Sequence, residues 1–502
     1  MLARNMLFNL GGLALPLVLA LLCIPPLLAG LGTARFGLLT LVWVVLGYFS
    51  IFDLGIGRAL TLAVAERQAK GQVASINPLV VTGLYVTAVL GLAGALLLAA
   101  LSPKLAQIMA ASDHALAAEL VPALLAVAAS LPFVTNTAAM RGVLEAYGRF
   151  DLTSAIRLGM GFITYLGPLV VLQFRPGLVA VVVFLVVARV ITWAVHAVVV
   201  SRVMPANAIS QRRYAADELR PLLASGGWMT VSNVVSPMLS YLDRFVLAWL
   251  VGAAMVAYYT TPYEVIIRVT LIPEAVLGVL FPALAAALSI DLARAHRLYA
   301  QCLRVMVAAM LPVAAVVLAF ALPLLTVWIS APFAQQSYRV LQVLTLGVAI
   351  NCVARLPFTA IQSAGRADLT AKLHLVELPV FLLVLFALTH ASGIVGTAWA
   401  WALRATVDFA AIVWIQRNLV PLPAQIRWGW LVLGCTLTLL VGVVAELPLA
   451  PVASLVSRLA LVLAVLGVVW VGVLTSADRA LLGSTLSSLR GRARPTTPKQ
   501  EV

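Results

Sequence analysis

Residues 177–201 read GLVAVVVFLVVARVITWAVHAVVVS, a run of 25 residues in which Arg189 and His196 are the only ionisable side chains. At 1.5 Å per residue, about 20 residues of helix cross a hydrocarbon core of about 30 Å. The stretch is therefore long enough to span a bilayer, and far too apolar to cover itself in water. Its arginine needs an explanation. An arginine at mid-bilayer depth costs about 2.5–3.5 kcal/mol on insertion scales. The positions three and four residues away hold Leu185, Val186, Thr192 and Trp193, so no acid shares its helix face. Its partner must be another helix, water in a cavity, or a ligand.

The rest of the chain repeats the pattern. It has 502 residues, 63% hydrophobic and 10% charged, with mean hydropathy +1.07; a soluble domain carries roughly 25% charged residues. Apolar stretches lie near residues 6–29, 36–55, 76–101, 116–139, 153–173 and 177–201. Others follow near 224–250, 256–283, 301–327, 338–361, 373–390, 394–416, 428–446 and 453–475. The expectation is an all-α polytopic membrane protein with about 14 spans. The opening MLARNMLFNLGGLALPLVLALLCIPPLLAG (1–30) is too long for a signal-peptide core and ends in Pro-Pro, so it is expected to be kept as the first span.

The longest polar connector, RVMPANAISQRRYAADELRPLLASGG (202–227), divides the chain. An N-lobe of six spans occupies 1–205, a C-lobe of six occupies 206–420, and a terminal helix pair occupies 421–475. Such a division is what a two-lobe transporter built on a repeat displays. The Arg/Pro-rich stretch 476–502 reads as a basic disordered tail.

Basic residues set the orientation. One set of connectors holds Arg58, Arg67, Lys70, Arg141, Arg149, Arg202, Arg212, Arg213 and Arg220, and both termini share its character; the opposite set holds Arg35, Lys104, Arg175 and Arg339. The bias places both termini in the cytoplasm. The net charge of +15 thus marks one face of a membrane and does not point to nucleic acid. Cys23, Cys302, Cys352 and Cys435 lie apart in apolar runs and read as small buried hydrophobes, with no metal site. No phosphate loop, zinc-binding His-Glu pair or nucleophile elbow occurs. The longest outer connector, SPKLAQIMAASDH (102–114), offers one acid, Asp113, where acid/base chemistry needs a poised pair. An enzyme is not expected.

The candidate site therefore rests on charges within the spans: Arg189, Arg244, Arg268, Arg355, Arg404 and, near the end of the last span, Arg458. Glu264 and Arg268, like Arg404 and Asp408, are spaced i,i+4, so each pair either neutralises itself or serves a cavity. Arg355 has Asn351, Cys352, Phe358 and Thr359 around it and needs an outside partner. In MLSYLDRFVLAWLVG (238–252), Asp243 and Arg244 are adjacent and point about 100° apart on a helix. Either Asp243 meets Arg268 or Glu264 meets Arg244 across a helix pair. Asp53, Asp243, Glu264, Glu377 and Asp408 are the acids available for ion coupling or salt bridging, and Arg35 and Arg58 are outlying basic candidates at span ends.

Three stretches carry a resemblance: PPLLAGLGTARFGLLTLVWVVLGYFSIFDLGIGRALT (25–61), RGVLEAYGRFDLTS (141–154) and YLDRFVLAWLVGAAMVAYYTTPYEV (241–265). They resemble the polysaccharide transporter family, which includes the Wzx-type O-antigen and exopolysaccharide flippases of the multidrug/oligosaccharidyl-lipid/polysaccharide (MOP) exporter superfamily. The resemblance implies two six-helix lobes in a MATE/MOP-like arrangement, plus a terminal pair, alternating between inward- and outward-facing states. It implies an undecaprenyl-diphosphate-linked oligosaccharide as cargo, moved across the bacterial inner membrane. It further implies coupling to a Na+ or H+ gradient without a bound cofactor, with polysaccharide polymerase or export proteins as partners. The arginines Arg189, Arg244, Arg268, Arg355 and Arg404 would line the cavity, since a guanidinium pairs bidentately with phosphate oxygens. Two alternatives stand beside this reading: a multidrug exporter of the same superfamily, whose cationic cargo favours acids and aromatics, and a peptidoglycan-precursor (lipid II) flippase.

Overall fold

In lipid every backbone N–H and C=O must be satisfied within the segment, which leaves the α-helix as the form for these Ala/Leu/Val-rich runs. The computed structural model describes residues 2–49, 56–110, 113–175, 177–204, 239, 241–364, 366–420, 427–448 and 450–480. Among them are helices and no strand. Ten helices are long and apolar enough to cross a bilayer. In chain order they and their shorter neighbours are α1 (Leu2–Phe49), α2 (Ile56–Ala69), α3 (Ile76–Ala110), α4 (His114–Ala146), α5 (Phe150–Phe174) and α6 (Leu178–Val203). Then come α7 (241–250), α8 (Ala253–Ile266), α9 (Leu271–Ile290), α10 (Leu292–Trp328), α11 (Ala331–Ser363), α12 (Ala367–Leu419), α13 (Trp428–Glu446) and α14 (Pro451–Val468).

Two of these helices hold two expected spans each. Unbroken, the 48 residues of α1 would measure about 72 Å, more than twice the hydrocarbon core. The break falls at Gly32, whose φ of 75° and ψ of 164° only glycine adopts without strain. In α12 the break is at Ser392 and Gly393. The hydroxyls of Thr389 and Thr397 lie 3.0 Å apart, whereas eight residues of straight helix would separate them by about 12 Å. The chain folds back on itself there, as the gap between the expected spans 373–390 and 394–416 requires.

One helix was not foreseen. The sequence reading runs the second span straight into a basic connector, but residues Ile56–Ala69 form α2. Ile56, Leu60 and Val64, spaced i, i+4, i+8, are buried against Leu79, Met140 and Val143 of α3 and α4. The stretch is amphipathic rather than uniformly apolar, so a search for spans passes over it. The lone outer acid also has a structural role. Asp113 caps α4, accepting from the N–H groups of Ala115 and Leu116 at 3.0 Å each.

The chain forms two compact units. The first holds residues up to Arg268 together with Ala371–Trp401. Here α4 packs on α2, α3 and α6, and α1 packs on α5 and α8. Approach is close enough that a Cβ on Gly37 would strike the Ala253 carbonyl of α8. The boundaries expected at 205/206 and 420/421 border residues outside those described (205–238 and 421–426).

The second unit holds Val269–Thr370 and the chain from Ala402 onward. In it α10 packs on α9, α11, α13 and α14. Arg458 of α14 is answered by backbone. Pro323 has no N–H to offer the carbonyl of Ala319, and Ala445 lies in the last turn of α13. Arg458 donates to both orphan carbonyls at 3.0 Å.

Residues 476–480, which the sequence places in a disordered tail, are helical; the tail beyond them, 481–502, lies outside the described residues. Asp478 is buried and accepts from Arg304 at 2.7 and 3.3 Å. It also accepts from the N–H and hydroxyl of Thr475 at 3.0 and 2.7 Å. Burial pushes its carboxyl up, and the hydrogen bonds from Arg304 and Thr475, together with the guanidinium charge, outweigh this and hold it below the usual carboxylate range. A depressed folded pKa stabilises above the unfolded value of about 3.9, and that stabilisation is lost as pH falls through the folded pKa. Thermal melts in detergent between pH 3 and 7 are therefore expected to show an acid limb in wild type that is weaker in Asp478→Asn. Superimposable limbs would remove this pair from the acid response.

Candidate functional site

Three helix faces and one turn enclose a cavity of about 450 Å³ within the first unit. From α4 come Val134, Thr137, Ala138 and Arg141, spaced at three, four and seven residues, which is one face of a helix. From α5 come Thr153, Arg157, Met160 and Thr164 at the same periodicity, and from α6 Arg189, Thr192 and His196. Arg268 completes the lining. Among the described residues the cavity wall thus carries four arginines and one histidine, with no carboxylate.

Each element is set in place by local chemistry. Pro273 has no N–H for the carbonyl of Val269, and the α-helix gives way to a 3₁₀ turn over Ile267–Thr270, which carries Arg268. Trp193, four residues after Arg189, donates its indole N–H to Asn136 Oδ1 at 3.1 Å. The Asn136 amide in turn donates to Leu84 O at 2.7 Å, so α6, α4 and α3 are locked in register. His196 Nδ1 lies 2.9 Å from Thr192 O. A carbonyl only accepts, so Nδ1 carries the proton and Nε2 the lone pair in the neutral ring.

The four arginines differ in what holds them. Arg189 is half-buried and Arg157 exposed, and among the described residues neither has a hydrogen-bond or ion-pair partner. Arg141 reaches Glu145 only loosely, at 3.7 Å. Arg268 meets Glu264 Oε2 and the hydroxyl of Tyr165, each at 3.4 Å. An unpaired arginine half out of water is tolerable where a cavity lets in solvent or an anion. Guanidinium groups on facing helices suit a ligand with several phosphate oxygens.

Behind Arg268 lies the pair Asp243 and Arg244. Of the two pairings expected across the helices, the structure forms the second: Arg244 Nη2 donates to Glu264 Oε1 at 3.1 Å. Asp243 accepts the Tyr259 hydroxyl at 2.5 Å and the Arg244 N–H at 2.8 Å. Asp243 is 0% and Arg244 2% exposed. Arg244 therefore does not face the cavity; its guanidinium sits over the rings of Tyr241 and Tyr263, 5.1 and 4.9 Å from their centres.

The remaining candidates are placed as follows. Arg355 belongs to the second unit and donates to Glu274 at 3.0 Å, so its outside partner is an acid on α9 that the sequence reading did not single out. Arg404 and Asp408 lie one turn apart on α12, Asp408 buried; Glu377 is buried in the first unit. Arg35 pairs with Glu119 at 2.8 Å, and the same carboxylate accepts the first N–H of α6 from Leu178 at 2.9 Å. Asp53 and the side chain of Arg58 lie outside the described residues. Arg157 lines the cavity without standing out in the sequence, and Arg141, which reads there as a connector charge, lines it too.

Residues 30–338 match the family described as polysaccharide biosynthesis protein. A Shigella flexneri protein named "Putative O-antigen transporter" is 29% identical over 419 residues, which cover 83% of this chain and 98% of that protein. Among solved structures, the lipid II flippase MurJ in an inward closed conformation is similar with a TM-score of 0.72 at 12% identity, over 92% of this chain and 98% of its own. An inward-facing multidrug resistance MATE family transporter of the MOP superfamily gives 0.69 at 15% identity, over 80% of this chain and 95% of its own. At such identities the two structures share a fold with this chain.

Proposed function

Since this chain belongs to the polysaccharide biosynthesis protein family, we propose that it is a flippase for lipid-linked precursors of a surface polysaccharide (O-antigen, capsule or exopolysaccharide). Its cargo in this reading is an undecaprenyl-diphosphate-linked oligosaccharide, carried across the bacterial inner membrane by alternating access. The observation that carries the proposal is a cavity wall with four arginines and no carboxylate among its described residues. A diphosphate brings negative charge and acceptor oxygens into a place where two guanidinium groups, Arg157 and Arg189, lack partners among the described residues, while the polyprenyl chain stays in hydrocarbon. A multidrug exporter with cationic cargo needs the opposite sign of charge. The named relative is a transporter, and a transporter rather than an enzyme also agrees with the missing catalytic motifs. The positive-inside bias supports cytoplasmic termini, and a Na+ or H+ gradient is the proposed driving force.

The test is transport in proteoliposomes. A fluorescent undecaprenyl-diphosphate oligosaccharide is expected to reach the opposite leaflet in the presence of the protein, faster under an imposed Na+ or pH gradient. Ethidium, an aromatic cation, is expected to stay put. Efflux of ethidium with no movement of the lipid-linked sugar would transfer the protein to the exporter reading.

A further inference from the structure

Arg244, Glu264 and Arg268 form a chain in which one carboxylate stands between two guanidinium groups, with Asp243 bonded to the Arg244 backbone N–H; of these residues Arg268 lines the cavity. Glu264 is shared. Its Oε1 lies 3.1 Å from Arg244 and its Oε2 3.4 Å from Arg268. The Arg244 side chain is 3% exposed and the Arg268 side chain 32%. Water screens the second contact more than the first, so Glu264 is held mainly by Arg244. Arg244 itself is fixed: two tyrosine rings hold its guanidinium, and its N–H is tied to Asp243. It has no freedom to swing into the cavity. Among the described residues Arg268 is held by two long contacts, and it has that freedom.

We infer that Arg244 is a positioning residue for anion binding: it claims Glu264, so that Glu264 does not neutralise Arg268, and Arg268 stays available to a phosphate oxygen in the cavity. Without Arg244, Arg268 is the cation left to Glu264 among the described residues, and Glu264 closes on it. The inference rests on the anionic-cargo reading above. It assigns to a residue that touches no ligand the control of one that does.

The experiment is calorimetric titration of inorganic pyrophosphate into the detergent-purified full chain, for wild type, Arg244→Gln, Glu264→Gln and the double variant. Arg244→Gln is expected to weaken binding about tenfold, the size of one charge-assisted contact. Glu264→Gln is expected to bind at least as tightly as wild type, because Arg268 is released. The double variant is expected to recover to within about threefold of wild type, since the competing carboxylate is gone. Packing alone predicts the reverse: both single variants weaken binding and the double is weakest, an outcome that overturns the inference. Should Arg244→Gln fail to fold, Glu264→Gln decides by itself, binding at least as tight as wild type supporting the inference and weaker binding ending it. Arg189→Gln separates the two levels. Binding that is lost in Arg189→Gln but indifferent to residues 244 and 264 sinks the positioning role and spares the anion cavity. No pyrophosphate binding by wild type sinks both.

Discussion

Arg189→Gln is expected to lower the rate of lipid-linked oligosaccharide transport by about 10- to 100-fold. The figure follows from losing hydrogen bonds to a charged group, about 1.5–3 kcal/mol, at about 1.4 kcal/mol per factor of ten. Arg189 is half-buried in the cavity wall, without a partner among the described residues, and glutamine keeps much of its length and polarity while removing the charge. The same change removes a cation from an apolar helix. The melting temperature in detergent is therefore expected to rise, opposite to the transport effect, as happens when a site residue is held at the expense of stability. Arg355→Gln serves as the comparison. That arginine already pairs with Glu274, both partly exposed at 36% and 47%, and such pairs are worth about 0–1 kcal/mol. Transport unchanged in Arg189→Gln would leave the unpaired arginine without a function and the cavity reading without its main support.

Asp243→Ala is expected to destabilise the first unit by about 3–6 kcal/mol, the loss of two buried hydrogen bonds to a charged group at about 1.5–3 kcal/mol each. Three groups lose by it. The Tyr259 hydroxyl is left buried with no carboxylate to receive it, the Arg244 N–H loses its acceptor, and the Arg244 guanidinium keeps Glu264 as its remaining counter-charge. The melting temperature in detergent is expected to fall on the order of 10 °C. Asp243→Asn keeps an acceptor for the tyrosine and loses only the charge, so it is expected to fall between. An Asp243→Ala protein that melts with wild type would show that this buried network contributes little.

The gap between these two arginines measures how far the sequence reading reached. Arg189 was legible, because a 25-residue apolar run with no acid one turn away already says that the charge needs something outside its helix. Arg244 was not. The sequence allows two pairings, Asp243 with Arg268 or Glu264 with Arg244. Which of the two forms depends on where α8 places Glu264. Arg157 and Arg141 belong to faces that can be traced afterwards: residues 153, 157, 160 and 164 on α5, and 134, 137, 138 and 141 on α4. The periodicity was present in the sequence. That those faces turn toward one another and toward Arg189 was not.

What the sequence by itself determined, then, is the membrane class, the length and place of most spans, and the family; the breaks at Gly32 and Gly393 fall in the gaps it left between spans. Hydropathy, helix periodicity and glycine conformation act over a few residues, so they are written locally. The tertiary structure decided the destination of each charge. Arg458 answers carbonyls on two other helices, Arg304 meets Asp478 174 positions away, and Arg244 rather than Arg268 takes the nearer oxygen of Glu264. An ion pair depends on which helix faces meet, and at what depth. Those are properties of packing between segments, and no single segment contains them.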